Sequence, residues 1–244
     1  HLVLESDVEA VIGIDSQAIY LSGDNFATLP EGVVRNLNDF TISTYVRLKS
    51  LDQWARIFDF GSGSTFNMFL TPKGGSGFLR FAITINGGAN EQLIDSEMPL
   101  TLYEWTHVAI TKSGNSATLY VNGEVVGVHE NMTLSPSDLG ATTQNWIGRS
   151  QYGADPGLNG AIDDFRIYNR ALSTEELGDI TDLLANKAVA DLEFEDENLA
   201  NCVSARAAFS GWETVSDIDN LYCHNKGITS AKGIELLSAL EVLT

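Results

Sequence analysis

The sequence predicts a mainly β protein: an antiparallel β-sandwich of the jelly-roll kind followed by a small α/β tail. Three observations carry this. About twelve short stretches alternate apolar and polar residues and are bounded by turn residues, the pattern of half-buried strands in two packed sheets. No helical periodicity occurs before residue 173. From Asp191 onward the texture changes to helix formers with apolar residues at helical spacing. A chain of 244 residues has room for one such β domain and a smaller unit.

Residues 1–12 are half apolar and hold one short strand, and Gln17 to Leu21 alternates weakly. Ser22-Gly23-Asp24-Asn25 is turn chemistry, because Gly permits positive φ and Asp and Asn bond to nearby backbone. Phe26 to Leu29 is a strand ended by Pro30. In Asp39 to Leu48, Phe40, Ile42, Thr44, Val46 and Leu48 fall on one face. Arg56 to Phe60 and Phe66 to Thr71 are strands split by Gly-Ser-Gly-Ser. Leu79 to Ile85 follows the glycine-rich turn at 74–77, and Glu91 to Ile94 is a further strand. Asn122-Gly123 joins Ala117–Val121 to Glu124–His129 in the strongest short hairpin signal. Trp105 to Thr111, Thr143 to Ile147 and Ala161 to Tyr168 complete the strands. Ser173, with Glu176 three residues later, forms a capping box opening a helix to about Ala185. Asn186 to Ala190 reads as a linker, and Ala231 to Leu240 as a helix.

Lys and Arg number 14 against 33 Asp and Glu, a net charge of −19. That argues against partners such as nucleic-acid phosphates or anionic lipid, which need a basic face. The carboxylates serve solubility or collect divalent cations. No apolar run approaches the roughly 18 residues of a membrane span. There is neither an initiator Met nor a signal peptide, and the chain stops at Leu243-Thr244 inside an expected strand. The expectation is a segment of a longer, multidomain protein.

In Ala161 to Tyr168, alternation places Asp163 on one face with Phe165 and Ile167, a carboxylate at the edge of a core. Such a group needs a partner. The Gly23-Asp24-Asn25 turn offers oxygen ligands that, with Asp163, complete a calcium shell. The alternatives are an Arg partner or backbone N–H groups. No catalytic residues are expected. Asp191, Glu193 and Glu195 alternate in the manner of glycosidase carboxylates, but they lie after the last strand of the sandwich. His107 lies in a strand as a packed histidine. A sugar-binding surface uses aromatic rings with polar neighbours. The loop candidates are Trp54, Asn90, Gln92, Trp146, Arg149 and Tyr152, each of which can equally serve core or hairpin packing.

Several motifs in order carry a resemblance: Arg56-Ile-Phe-Asp-Phe-Gly, Trp105-Thr-His-Val-Ala, Tyr120-Val-Asn-Gly, Ile147-Gly-Arg-Ser and Asn159-Gly-Ala-Ile-Asp-Asp-Phe-Arg-Ile-Tyr-Asn-Arg-Ala-Leu-Ser. Over residues 13–180 the chain resembles the laminin-G-like, concanavalin A-like jelly-roll family. The resemblance implies a structural calcium between the early turn and Asp163. It also implies a role among sugar-binding modules, adhesion modules and spacers attached to enzymes. Asn25 stands where the family often has Asp, which weakens the implied site. Phe194-x-Asp196-x-x-Leu199-x-x-Cys202-Val203, then Leu221-x-Cys223 and Gly233-Ile-Glu-Leu-Leu, resemble the N-terminal cap and first turn of a bacterial leucine-rich repeat array. In that cap a helix carrying Cys202 lies over a strand carrying Cys223. The resemblance therefore implies a disulfide, and with it an oxidising compartment, against two separate thiols.

The expected organisation is a jelly roll at residues 1–185 and a truncated repeat cap at 186–244. The expected function is a non-catalytic binding module of a secreted or cell-surface bacterial protein, its partner a glycan. The other expectations are an adhesion spacer recognising protein through the repeats, or an accessory domain of a carbohydrate-active enzyme.

Overall fold

The computed structural model describes residues 3–4, 8–14 and 17–243. Its strands, in chain order, are β1 (Val3–Leu4), β2 (Glu9–Ile12), β3 (Gln17–Ser22), β4 (Ala27–Leu29), β5 (Phe40–Leu48), β6 (Phe58–Gly61), β7 (Asn67–Thr71), β8 (Arg80–Thr84), β9 (Gln92–Asp95), β10 (Thr106–Ser113), β11 (Ser116–Val121), β12 (Glu124–His129), β13 (Gln144–Ile147), β14 (Asn159–Tyr168), β15 (Asn220–Leu221) and β16 (Val242–Leu243). Two α-helices follow the sandwich, α1 (Thr174–Ala185) and α2 (Glu197–Ser210).

Fourteen strands make two antiparallel seven-stranded sheets. The first has the order β1-β4-β13-β6-β7-β8-β9 and the second β12-β11-β10-β5-β14-β3-β2. Of the strand expected within residues 1–12, residues 1–2 and 5–7 lie outside the described set, and the remainder supplies β1 and β2. The main core lies between the sheets. The expected inward row of β5 is present, with Phe40, Ile42, Val46 and Leu48 packed among Phe58, Phe60, Met68 and Phe81. The Asn122-Gly123 hairpin joins β11 to β12 with positive φ at both residues, 49° and 80°, as a primed turn requires.

The outer face of the second sheet is covered by α1. Leu177, Ile180 and Leu184 pack on Tyr45, Trp105, Ala109 and Tyr120. The helix begins where the capping box places it: Ser173 Oγ accepts from the Glu176 N–H at 3.2 Å and Glu176 Oε2 accepts from the Ser173 N–H at 2.9 Å.

The tail departs from expectation at its linker and over residues 231–240. Residues 186–190 are not a free linker, because the Val189 N–H donates to Glu213 and the Val215 N–H to Lys187. Asp191 to Glu195 forms no strand; Val189–Asp191 is a 3-10 turn, so its three carboxylates do not line a sheet. The helix expected over 231–240 contracts to a 3-10 turn, Ile234–Leu236. Gly233 enters it at φ 98° and packs against the Glu193 carbonyl, too close for any side chain. Among the described residues, the tail holds α2 and one parallel pair, Asn220 opposite Val242 and Leu221 opposite Leu243, and no repeating unit.

Cys202 and Cys223 form a disulfide between α2 and the residue after Tyr222, as the resemblance implied. With a sequence separation of 21, loop closure contributes roughly 3 kcal/mol to the tail. Cys202→Ala with Cys223→Ala is expected to lower the tail's melting transition while leaving that of the sandwich in place. An unchanged melting profile by calorimetry would refute this.

Candidate functional site

Chemistry gathers on the outer face of the first sheet. Pairing aligns Thr28, Trp146, Asp59 and Phe69 in one row across β4, β13, β6 and β7. Phe58 and Phe60 point the other way, onto Phe165 in the core. Loops fold back over this outer face. The Gln151 N–H donates to Asp59 at 3.0 Å, and the Gln151 amide links Gly63 to Gln144. Asp59, Asn67 and Phe69 are thereby buried on a face that a plain sandwich would expose.

The centre is Arg56, fully buried just before β6. Its guanidinium stacks on the Phe69 ring at 4.0 Å. It donates to Asp59 at 3.3 Å, to Asp155 at 3.0 Å and to the Trp54 carbonyl. A buried arginine is tolerable only with its donors so matched. Burial pushes the Asp59 carboxyl up to about 7, opposed by Arg56, the Gln151 N–H and the Asn67 amide. Asp155 also accepts from Ser150 Oγ, which in turn accepts from the Tyr152 N–H.

Trp54 stands half-buried beside this centre. Its backbone is left-handed, φ 69°, a costly conformation for a bulky residue that surrounding bonds must hold. The Trp54 N–H donates to Lys73, and its ring lies against Gly75 and 5.6 Å from the Arg80 guanidinium. Gly74 lets this turn close on Arg80, since a Cβ there would meet the arginine at 2.8 Å. Arg80 holds Asp95 with two bonds, 2.6 and 2.7 Å. Glu91 completes the rim. Its carboxyl is raised by burial, against the pull of Arg80 and Arg56. The Tyr152 hydroxyl, raised by burial and by the charges of Glu91 and Asp59, donates to the Ser64 carbonyl at 3.3 Å.

Of the six ligand-binding candidates, Trp54 and Tyr152 flank the Arg56 centre, and Asn90 lies exposed in the turn leading to Glu91. Trp146 and Arg149 share the sheet face but form a separate stack. The Arg149 guanidinium lies 4.5 Å from the Phe26 ring and 4.7 Å from the Trp146 ring. Gln92 is elsewhere, its amide spent on Thr133 and the Leu134 N–H. Sequence reasoning missed Arg56, Asp59, Arg80, Glu91 and Asp155 as site residues. Asp59 carried a signal, a carboxylate between two phenylalanines in an apolar strand; Asp155, in a loop, carried none.

The four residues of the expected calcium shell are not brought together. β14 bulges between Asp163 and Arg166, with Asp164 at φ 47°. This shifts the alternation, so Asp163 faces away from Phe165 and Ile167. Its carboxylate accepts from the Ile14 N–H at 2.6 Å and the Asp164 N–H at 2.7 Å. The Gly23-Asp24-Asn25 turn lies beyond the Ser22–Asn159 pair, more than about 13 Å away along the strand. There Asn25 Oδ1 accepts from the Ser22 N–H. These donors do not fit a shared ion.

On the other sheet, His107 is buried against Tyr45, ring centres 5.1 Å apart, beneath α1. Burial, and then the charge of Arg166, lower its pKa to about 4, so it is neutral. A cleft of about 850 Å³ lies where β2, β3 and β5 meet residues 193–195 and 230–235. Arg47 pairs with Glu235 at 2.7 Å and Lys232 with Glu195 at 3.1 Å. Charges so matched mark a seam between packed elements.

The fold and this face define a jelly-roll sandwich with a loop-covered polar sheet. The chain belongs to the concanavalin A-like lectin/glucanases superfamily, whose laminin G-type profile matches residues 21–178. It is 27% identical over 158 residues to an alpha-L-arabinofuranosidase of Bifidobacterium longum subsp. longum, covering 65% of this chain and 14% of that relative's length. Among solved structures, it resembles domain 4 of AbnA, a GH43 extracellular arabinanase from Geobacillus stearothermophilus, in complex with arabinotriose. The TM-score is 0.65 at 21% identity, over 74% of this chain and 87% of that one. It also resembles the CBM40 of Ruminococcus gnavus IT-sialidase bound to α2,3-sialyllactose, with a TM-score of 0.55 at 17% identity over 67% and 96%. These are likenesses of fold. No helix among the described residues is long and apolar enough to cross a membrane.

Proposed function

We propose that the sandwich is a non-catalytic carbohydrate-binding module whose site is the Trp54 face of the first sheet. One observation carries this: a half-exposed tryptophan, held in a left-handed backbone, stands beside hydrogen-bonding groups converging from three loops. An aromatic plane next to fixed polar groups is what a sugar ring and its hydroxyls require. Asp59, the carboxylate on the sheet itself, is buried and bonded to Arg56, Asn67 and Gln151, which suits a structural tie. Trp54→Ala is expected to weaken glycan binding by about 2 kcal/mol, roughly thirtyfold in Kd. Titration calorimetry against arabino-, xylo- and galacto-oligosaccharides checks it. Equal affinity of variant and parent removes Trp54 from the site.

The similarity to an arabinofuranosidase and to a domain of an extracellular arabinanase favours an accessory role beside a carbohydrate-active enzyme, outside the cell. The disulfide is in keeping with that compartment. The division at 185/186 and a repeat-like start in the tail belong to the same reading. The tail's support is the parallel β15–β16 pair, spaced within the about 20–29 residues of a leucine-rich repeat.

A further inference from the structure

We infer that the Trp54 face selects uncharged glycans and discriminates against those bearing carboxylates. This rests on the reading of that face as the binding site. Two guanidiniums, Arg56 and Arg80, stand there among four carboxylates, Asp59, Asp95, Asp155 and Glu91. Arg56 gives its donors to Asp59, Asp155 and the Trp54 carbonyl. Arg80 clasps Asp95 through both oxygens. Glu91 remains, half-buried; its Oε1 and the Tyr152 hydroxyl converge on Gly88, 3.5 and 3.0 Å from where a Cβ would stand, and its charge acts on Arg80 and Tyr152. Even with Asp59 protonated, carboxylates outnumber guanidiniums.

An acidic sugar settling on the Trp54 ring brings its charge beside Glu91 and finds both arginines already paired. A neutral sugar brings hydroxyls, which Glu91 accepts and the Trp54 ring flanks. Specificity is then a difference of affinities generated by repulsion as well as attraction. Arg149, stacked on Phe26 and Trp146, is the rival anchor for an acidic group on the same sheet.

The test uses the full chain against matched pairs: neutral arabino-, xylo- and galacto-oligosaccharides, and the same backbones carrying uronic or sialic acid, at low and high salt. The expected result is neutral binding with at least roughly tenfold weaker binding of each acidic partner. The gap should narrow in high salt and in Glu91→Gln. Acidic glycans binding equally or better, and losing that binding in Arg149→Ala, would overturn the inference while leaving the Trp54 site standing. Binding of neutral glycans that Trp54→Ala does not weaken, or no binding of any glycan, would overturn the site itself and the inference with it.

Discussion

Arg56→Met is expected to destabilise the sandwich by about 3–5 kcal/mol, because it leaves a buried carboxylate without its cation. Asp59 has no exposed surface, and Arg56 is the charge beside it. The same change frees Asp155 and the Trp54 carbonyl, so the loops framing the site loosen together. The loss should depend on pH with a definite sign. The folded pKa of Asp59 lies above its unfolded value, at about 7 against 3.8. Its contribution is therefore fully present below the unfolded value and lost as pH rises through the folded one. Without Arg56 that folded value rises further, so the variant should be weaker at alkaline than at mildly acidic pH. Adding Asp59→Asn should recover part of the loss. Denaturant unfolding of the single and double variants decides this; a single variant costing under about 1 kcal/mol would show that the guanidinium is not the tie.

His107 should give the opposite slope. Its folded pKa is lowered from 6.5 to about 4 by burial and then by Arg166. Between those values the unfolded chain binds the extra proton, so stability is full above 6.5 and is lost as pH falls through about 4. The expected cost over that window is about 3 kcal/mol. It should act on the packing of α1 against Tyr45, whose hydroxyl donates to the Ile180 and Thr181 carbonyls. His107→Phe keeps an aromatic ring against Tyr45 and removes the proton. The difference between parent and variant stability should vanish as a function of pH above 7 and grow below it. Parallel curves across the window would refute the assignment.

Much of the fold was legible because its signals are local. Alternation in Phe40–Leu48, the Asn122-Gly123 turn and the Ser173–Glu176 box each depend on residues a few positions apart, and each appears where expected. Alternation failed at Asp163 for a local reason invisible in residue types. One extra residue at Asp164 bulges the strand and turns the carboxylate to the other face. The helix expected over 231–240 failed because Gly233 must fit against Glu193 from a distant segment. Gln92 and Arg149 both read as polar loop candidates, yet one bonds the loop at 133–134 and the other lies on two rings.

The sequence by itself determined a two-sheet sandwich, the helix that closes it and, through resemblance, the Cys202–Cys223 pairing, because period, turn chemistry and motif order are written along the chain. Only the tertiary structure assembled the candidate site. Arg56 meets Asp155 across 99 residues, and Asp59 meets Gln151 across 92. Strand register sets those meetings, and register follows from how the whole core packs, so no local stretch around Trp54 announces the face it helps to build.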